Sequence, residues 1–520
     1  MTSPTPLTIT IIGAGLSGLA SAISLAQAGH SITVLEQATE LTEVGAGLQV
    51  TPNATRLFSH WELPDSIWAD AVEPTTLTVH RFEGGVLAHD GVFDRHIRER
   101  YGAGFLDLHR GDLQRALVER ARGLGVDVVL GERVVNLDVD ESESGCGKEG
   151  EEEGGATATV TATATVTATA TIHTTSGHIY KADLVVAADG LWSKCRESFL
   201  GRKDDPLPTG DLAYRIVLNV NEIHDPELKA FVQNPQVHFW IGPGAHVVSY
   251  SMRGGDMLNI VLLVPDNLPK GVRRQAGSVE EMRELFRGWD PLLTKFLSYV
   301  DTVDKWKLMH NSEMKTWVNP SSTLVFVGDA CHPMLPYLAQ GANSSLEDGA
   351  VLGGLLGHLK SKSQLPQVLK LYESLRKERG EAIVRETFKQ RNDFHLPDGP
   401  EQQKRDAIFK SQLGKDRIQG AFPSRWTCPE VQPWLYGYDA IKEVQDAVAR
   451  NPEIFGSSSN SITTTTTTTS NASTTTVTGP GIGTGTGPGI ATRNGLAKTL
   501  YTWLPQWLPI LLFGVGKVLL

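Results

Sequence analysis

Short apolar runs alternate with amphipathic stretches along most of this chain. Thr8–Ile12 (TITII) is a β-branched run that reads as a strand, and Leu19, Ala20, Ile23 and Ala26 then recur at helical spacing, predicting a helix from about Leu16 to Ala28. Ser31–Leu35 is a second strand and runs into Glu36. Asp183–Gly190 (DLVVAADG) and Leu324–Asp329 (LVFVGD) are apolar without alternation, the signature of strands buried on both faces, and each ends on an Asp beside a Gly. A helix is expected behind Arg110, with Leu113, Ala116, Leu117 and Ala121 on one face, and another opens at Gly341-Ala342-Asn343. Leu212–Val220, Val237–Ile241, His246–Met252 and Met257–Val264 read as strands of a separate sheet, followed by helices over Gly349–Leu359 and Ser363–Glu386. The expected fold is α/β: a Rossmann-like nucleotide-binding domain interleaved with a mixed β-sheet domain, plus C-terminal helices. Its boundaries are residues 1–200 and 311–390 for the two parts of the cofactor domain, 201–310 for the sheet and 391–455 for the helical region.

Three segments break this pattern. Residues 140–176 hold an acidic Gly/Ser-rich stretch and an alternating Ala/Thr/Val tract, expected as an insertion between two strands. Residues 456–495, rich in Ser, Thr, Gly and Pro, read as a disordered linker. Tyr501–Leu520 (YTWLPQWLPILLFGVGKVLL), within a hydrophobic tail over 496–520, approaches the roughly 20 residues that span a bilayer. Its Pro505, Gln506, Pro509 and Lys517 weaken a span while Trp503 and Trp507 suit an interface, so a membrane tether and a helix packed on the protein both fit.

Candidate chemistry begins at the first strand. Gly13-Ala14-Gly15-Leu16-Ser17-Gly18 fits GxGxxG between a strand and a helix, with Glu36 about 20 residues on. Gly13, Gly15 and Gly18 permit a tight turn, close approach of a pyrophosphate and close helix–strand packing, while Glu36 suits ribose hydroxyls. The competing reading is a purely structural turn, and the motif alone does not separate NAD from FAD. Asp329, delivered to a strand end ahead of bare helix amides near Ala342, suits a polar cofactor chain; its bland alternative is a helix cap.

Composition narrows the classes. A chain of 520 residues with 40% hydrophobic content buries a large core, and a net charge of −11 without a basic stripe argues against a nucleic-acid partner. The four cysteines are scattered, with neither CxxC nor metal-ligand spacing, so no metal site is expected and a reducing, cytoplasmic compartment is. Cys331-His332 is expected as loop packing. Met1–Pro6 is too short and polar for a secretory signal.

In order, GxGxxG with Glu36, then the DG strand, then GD…P…G resembles the single-component FAD-dependent aromatic monooxygenases, in particular their salicylate hydroxylase-like, largely fungal branch. The resemblance runs from about Thr8 to about Val444 and includes EVGAGLQVTPN at Glu43–Asn53, LHRGDLQRAL at Leu108–Leu117 and WLYGYDA at Trp434–Ala440. It implies FAD as cofactor, with NADPH or NADH visiting transiently. The reduced flavin would add O2 at C4a, and the hydroperoxide would pass one oxygen to a phenolic ring, a hydroxybenzoate or a polyketide-derived phenol. By family position Arg110 contacts the cofactor, Gln49 lies near its ring, Asp329 binds the ribitol or pyrophosphate side and Ala342 the pyrimidine edge. Asp189 would shape the DG turn and the NAD(P)H approach. Arg215 and Tyr250 are the candidate catalytic residues, one stabilising phenolate or a carboxylate and the other hydrogen-bonding the same oxygen. Tyr214 is the alternative tyrosine; the structural readings are an ion-paired Arg and a core Tyr. A flavin halogenase would show WxWxIP, which this chain lacks. A flavoprotein dehydrogenase or oxidase without oxygen insertion, and a non-catalytic protein on the same fold, are the alternatives.

Overall fold

β-Branched and aliphatic runs with no polar face can be satisfied only between two covering layers, and that is where five of them lie. A computed structural model describes residues 5–41, 47–139, 169–415 and 418–456. In it Leu324–Phe326, Leu184–Ala187, Thr8–Ile12, Ser31–Glu36 and Asp127–Leu130 pair in that order as one sheet, parallel throughout. The expected GxGxxG, DG and GD strands are thus neighbours, and their C-terminal ends open on one side.

Two helices fix that edge. Leu16–Gln27 follows the glycine loop, and Gln340–Leu356 is one continuous helix joining the two helical stretches expected around residues 341 and 349–359. They pack against each other through small residues: a Cβ on Gly349 would sit 2.6 Å from the Ser21 nitrogen, and one on Gly353 would sit 2.3 Å from Ser24 Cβ. No side chain fits there, so the two backbones touch and both N-termini are carried to the same edge. The next helix, Leu365–Phe394, is 30 residues long.

The second sheet has eight strands, in the order Arg274–Gly277, Val303–His310, Leu207–Asn219, Met257–Pro265, Ala245–Met252, Gln236–Gly242, Thr76–Arg81 and Val86–Asp90. All neighbours are antiparallel except Gln236–Gly242 with Thr76–Arg81, which makes the sheet mixed. Its last two strands come from within residues 1–200, which the sequence assigned to the cofactor domain. That pairing bridges about 160 residues, a separation that local patterning does not reveal. One face of this sheet packs Leu212, Tyr214, Trp240 and Leu262 against Val279–Leu285 and Pro291–Leu297. The other faces the cofactor domain.

Val134–Val139, Ala170–Thr174 and Ile179–Ala182 form a separate three-stranded antiparallel sheet rather than extending the parallel one. Val139 pairs with Ala170, so the low-complexity insertion joins two adjacent antiparallel strands. Residues 140–168, the Ser/Thr/Gly linker and the hydrophobic tail lie outside the described residues. Among the described residues no helix is long and apolar enough to cross a membrane.

Candidate cofactor and substrate site

The glycine loop builds the first half of the site. Gly13 adopts φ +106°, and a Cβ there would lie 2.5 Å from the Ala188 carbonyl oxygen, so only glycine makes this turn. Gly18 is tightly constrained too, its Cβ position being 2.0 Å from the Gly13 oxygen, but it lines neither of the site's two cavities: it seats the helix on the strand. Gly15 differs. Nothing lies within 4 Å of its Cβ position, and it caps Leu16–Gln27 with no side-chain hydrogen bond. Bare amides therefore face open space, an anion-binding arrangement.

That space is a cavity of about 630 Å³ lined by Gly13, Gly15, Glu36, Arg133, Asp189 and Trp192 among others. Glu36 accepts from the Ala14 amide at 2.8 Å and the Ala38 amide at 2.9 Å, which orients its carboxylate at the strand end. Asp189 accepts from the amides of Lys194 at 2.7 Å and Cys195 at 3.0 Å; its main structural work is to close the DG turn onto the next helix.

Gly15, Ala188, Gly190, Trp192 and Arg273 also line a second cavity of about 520 Å³, so the two adjoin. Arg110, Gln49, Asp329 and Ala342 all border this second space. Asp329 is ringed by protein yet open to the cavity; burial raises its carboxyl pKa, against the pull of His332 and Arg110. A two-stranded ladder, Gly47–Val50 with Leu106–His109, brings Gln49 beside the Arg110 segment. Gln49 Nε2 donates to Asp107 Oδ1 at 2.9 Å across that ladder.

The large sheet supplies the floor. Register places Ala213, Leu263 and His246 in one row, and Arg215, Val261, Val248 and Phe239 in the next. Directly paired residues share a face, and every one of these lines the cavity. Tyr250, two positions beyond Val248, lines it too; its ring packs on Gly47, where a Cβ would meet Tyr250 Oη at 2.6 Å. The floor is thus an apolar carpet bearing Arg215, His246 and Tyr250, with Arg274 at its far edge, paired with Trp306 in the Ala213 row. Burial, with Asp107 nearby, raises the Tyr250 hydroxyl well above its ordinary range despite Arg215, so it stays a neutral donor. Arg215 also stacks on Trp306, its guanidinium carbon 5.1 Å from the ring centroid.

Tyr214 is a correction. Strand alternation turns it to the opposite face, into the outer core, where its ring lies 5.5 Å from Lys305 Nζ. Sequence reasoning also missed cavity-lining His246, Tyr337, Trp192, Trp306, Arg273 and Trp426. His246 opens an expected strand, His246–Met252, but without register nothing ranks it above its neighbours.

Behind the GD loop lies a buried ionic cluster. His332 Nε2 meets Asp348 Oδ2 at 2.5 Å, Asp348 also accepts from the Gly328 amide at 2.9 Å, and Arg376 Nε donates to its other oxygen at 2.8 Å. Glu347 is held by Arg379 through two 2.9 Å bonds, and Arg379 also donates to the carbonyls of Trp434 and Leu435. The WLYGYDA segment thereby clamps the helix that carries Ala342, and His332 does more than pack.

Two adjoining cavities with a strand-end carboxylate, bare helix amides at the middle and an apolar, Tyr/Arg-bearing floor define a flavin-dinucleotide site. The family described as an FAD binding domain matches residues 7–387, and the chain belongs to it. A "FAD-dependent monooxygenase OpS4" from Beauveria bassiana (strain ARSEF 2860) is 47% identical over 85% of this chain and 98% of its own length. A "3-hydroxybenzoate 6-hydroxylase" from Polaromonas naphthalenivorans (strain CJ2) is 28% identical over 84% and 97%. A solved salicylate hydroxylase substrate complex superposes with a TM-score of 0.65 at 22% identity, covering 86% of this chain and 99% of that one, which speaks for the fold. The protein is an FAD-dependent monooxygenase.

Proposed function

We propose that this enzyme hydroxylates a phenolic aromatic substrate, a hydroxybenzoate or a polyketide-derived phenol, consuming O2 and NAD(P)H. One observation carries the reading: the apolar sheet face bearing Arg215 and Tyr250 lines one cavity with Gln49, Arg110, Asp329 and Ala342, and that cavity adjoins the Glu36 side of the cradle. Bound FAD supplies the redox and oxygen-transfer chemistry. The residues supporting its binding are Glu36 at the adenosine ribose, the Gly15 amides at the pyrophosphate, Arg110 and Asp329 along the chain, and Gln49 and Ala342 at the ring.

The chain's own work is binding, orientation and charge. Val248, Val261, Leu263 and Phe239 take the flat face of an aromatic ring and displace water from it. Arg215 places a permanent positive charge at that ring, which favours phenolate over phenol and so makes the ortho and para carbons electron-rich. Trp306 limits the conformations of that guanidinium. Tyr250 donates its hydroxyl proton in a hydrogen bond to the same oxygen without ionising. NAD(P)H approaches along the Asp189–Gly190 turn, which borders the cofactor cavity. The three described cysteines are all free, in keeping with a reducing, cytoplasmic location.

Purified protein should be yellow. It should oxidise NADH or NADPH faster in the presence of one member of a panel of hydroxybenzoates and polyketide phenols, and mass spectrometry under 18O2 should show one labelled oxygen in the product. Peroxide release with no label in any product would instead establish an oxidase, and a colourless protein that FAD does not reconstitute would end the enzyme reading.

A further inference from the structure

At the edge of the carpet, His246 is bonded to a second histidine that does not line the cavity. His246 Nδ1 and His395 Nε2 are 2.7 Å apart, and both side chains are buried. His395 follows the end of helix Leu365–Phe394 as its C-cap residue, and its carbonyl accepts from the Gly244 amide at 3.1 Å, just ahead of the His246 strand. The pair is packed by Phe394, whose ring centroid is 5.5 Å from His246, and by Tyr337, edge-on to His395 at 5.8 Å.

One proton sits between the two rings, and the rest of the structure decides which ring owns it. Were His246 the donor, His395 would have to carry its other proton on Nδ1, a buried atom with no hydrogen-bond partner. An orphaned buried N–H is the rarer defect, and an unfilled acceptor the more tolerable one. Asp211, the carboxylate that acts on His395, offers no relief: it already accepts two bonds from Arg391, both at 2.7 Å, and one from the Tyr337 hydroxyl. The proton therefore belongs on His395 Nε2, donated to His246 Nδ1. His246 must then carry its own proton on Nε2, the nitrogen left to face the cavity that His246 lines.

Nor does the pair take up a second proton near neutrality. The titratable and charged groups facing it are Asp211, Arg391 and the Tyr337 hydroxyl. Burial, and then the neighbouring ring, depress His246 well below its ordinary range. His395 is pushed down to about 4 by burial, with Asp211 and Arg391 acting in opposite directions.

We infer that His395 is a positioning residue that holds His246 as a fixed neutral donor, Nε2–H toward the cavity, for an acceptor oxygen of the substrate. Resting on the proposed aromatic hydroxylation, this narrows the substrate class. Tyr250, which donates to the oxygen held at Arg215, lies four residues from His246 on the same strand, about 13 Å away by strand rise, with the Arg215 row between them. The oxygen read by His246 is therefore a second one: the substrate bears a phenolate, carboxylate or carbonyl oxygen across the ring system from the oxygen held at Arg215.

The test has two arms. Long-range 15N–1H spectra of the histidine-labelled, FAD-loaded full chain, taken from about pH 5 to pH 8, should show both residues neutral with the proton on Nε2. A His246 proton on Nδ1, or an imidazolium at either residue, would overturn the inference whether or not any substrate is known. In the second arm, the phenol selected by the turnover screen is bound to His395→Phe, His395→Gln and the wild type. His395→Phe should raise KM about tenfold, the loss of one hydrogen bond, with kcat and FAD content little changed. His395→Gln, which can still donate to His246 Nδ1, should restore KM. Unchanged KM in His395→Phe, or failure of a folded His395→Gln to recover, would sink the positioning role. If no phenol is turned over, the aromatic reading fails while the spectra still decide the proton's place.

Discussion

Gly15→Ala separates cofactor binding from folding. Gly15 has φ −72° and ψ −179°, a conformation open to any residue, and its Cβ position meets nothing within 4 Å. The added methyl strains nothing in the cofactor-free protein. By narrowing the unfolded ensemble it should stabilise that form by about 0.4–1 kcal/mol. The same methyl, however, enters the space over the bare N-terminus of Leu16–Gln27, where a pyrophosphate would take charge-assisted bonds worth about 1.5–3 kcal/mol each. Losing one or two of them, about 1.5–6 kcal/mol, weakens FAD binding by roughly 10- to 20,000-fold. Thermal melts of the FAD-free protein and fluorescence titration with FAD measure the two effects separately. Gly18→Ala is the contrasting control, since its Cβ would lie 2.0 Å from the Gly13 oxygen and the fold itself must give. FAD binding by Gly15→Ala as tight as wild type, or a fall in its cofactor-free melting temperature, would refute the account of the cradle.

Arg215→Met should keep FAD bound and lower product formation by about 100-fold or more, with NAD(P)H oxidation uncoupled toward peroxide; unchanged turnover and coupling would remove Arg215 from the mechanism. Tyr250→Phe should cost about tenfold in kcat/KM, and the wild-type rate should show no tyrosine ionisation below about pH 10, because burial raises that hydroxyl. His332→Gln probes the buried ionic cluster. Burial alone would lower the His332 pKa, but the Asp348 charge and hydrogen bond raise it above the ordinary value of about 6.5. Its contribution is thus fully present below about pH 6.5 and lost as pH rises through the higher folded value. The stability advantage of wild type over His332→Gln in urea denaturation should shrink across that range, and an advantage that grew with pH would contradict the pairing.

The nucleotide-binding half was readable because its signals are local. A GxGxxG between a β-branched run and a 3.6-period helix, with Glu36 at the next strand end, needs no knowledge of distant partners, and the strands end within three residues of expectation, the first one on it. The large sheet was readable strand by strand and not as a whole. Thr76–Arg81 joins it only through a parallel pairing with Gln236–Gly242, and local pattern carries no information about such partners.

The same division runs through the site. The sequence by itself determined which chemistry-bearing residues exist and how each is locally presented: the acidic strand ends, the glycines, the unpartnered helix starts. Spatial convergence is a different kind of fact. That Gln49, Arg110, Asp329 and Ala342 border one cavity follows from a four-residue ladder and a glycine-packed helix pair, both made by segments far apart in the chain. Facing was also a tertiary decision: adjacent residues Tyr214 and Arg215 point to opposite sides of one strand, and only the packing of each sheet face shows which side holds the cavity. The His246–His395 pair belongs wholly to the tertiary structure, because it joins residues 149 positions apart. Its proton is placed by an orphaned atom that exists only once the chain has folded around it.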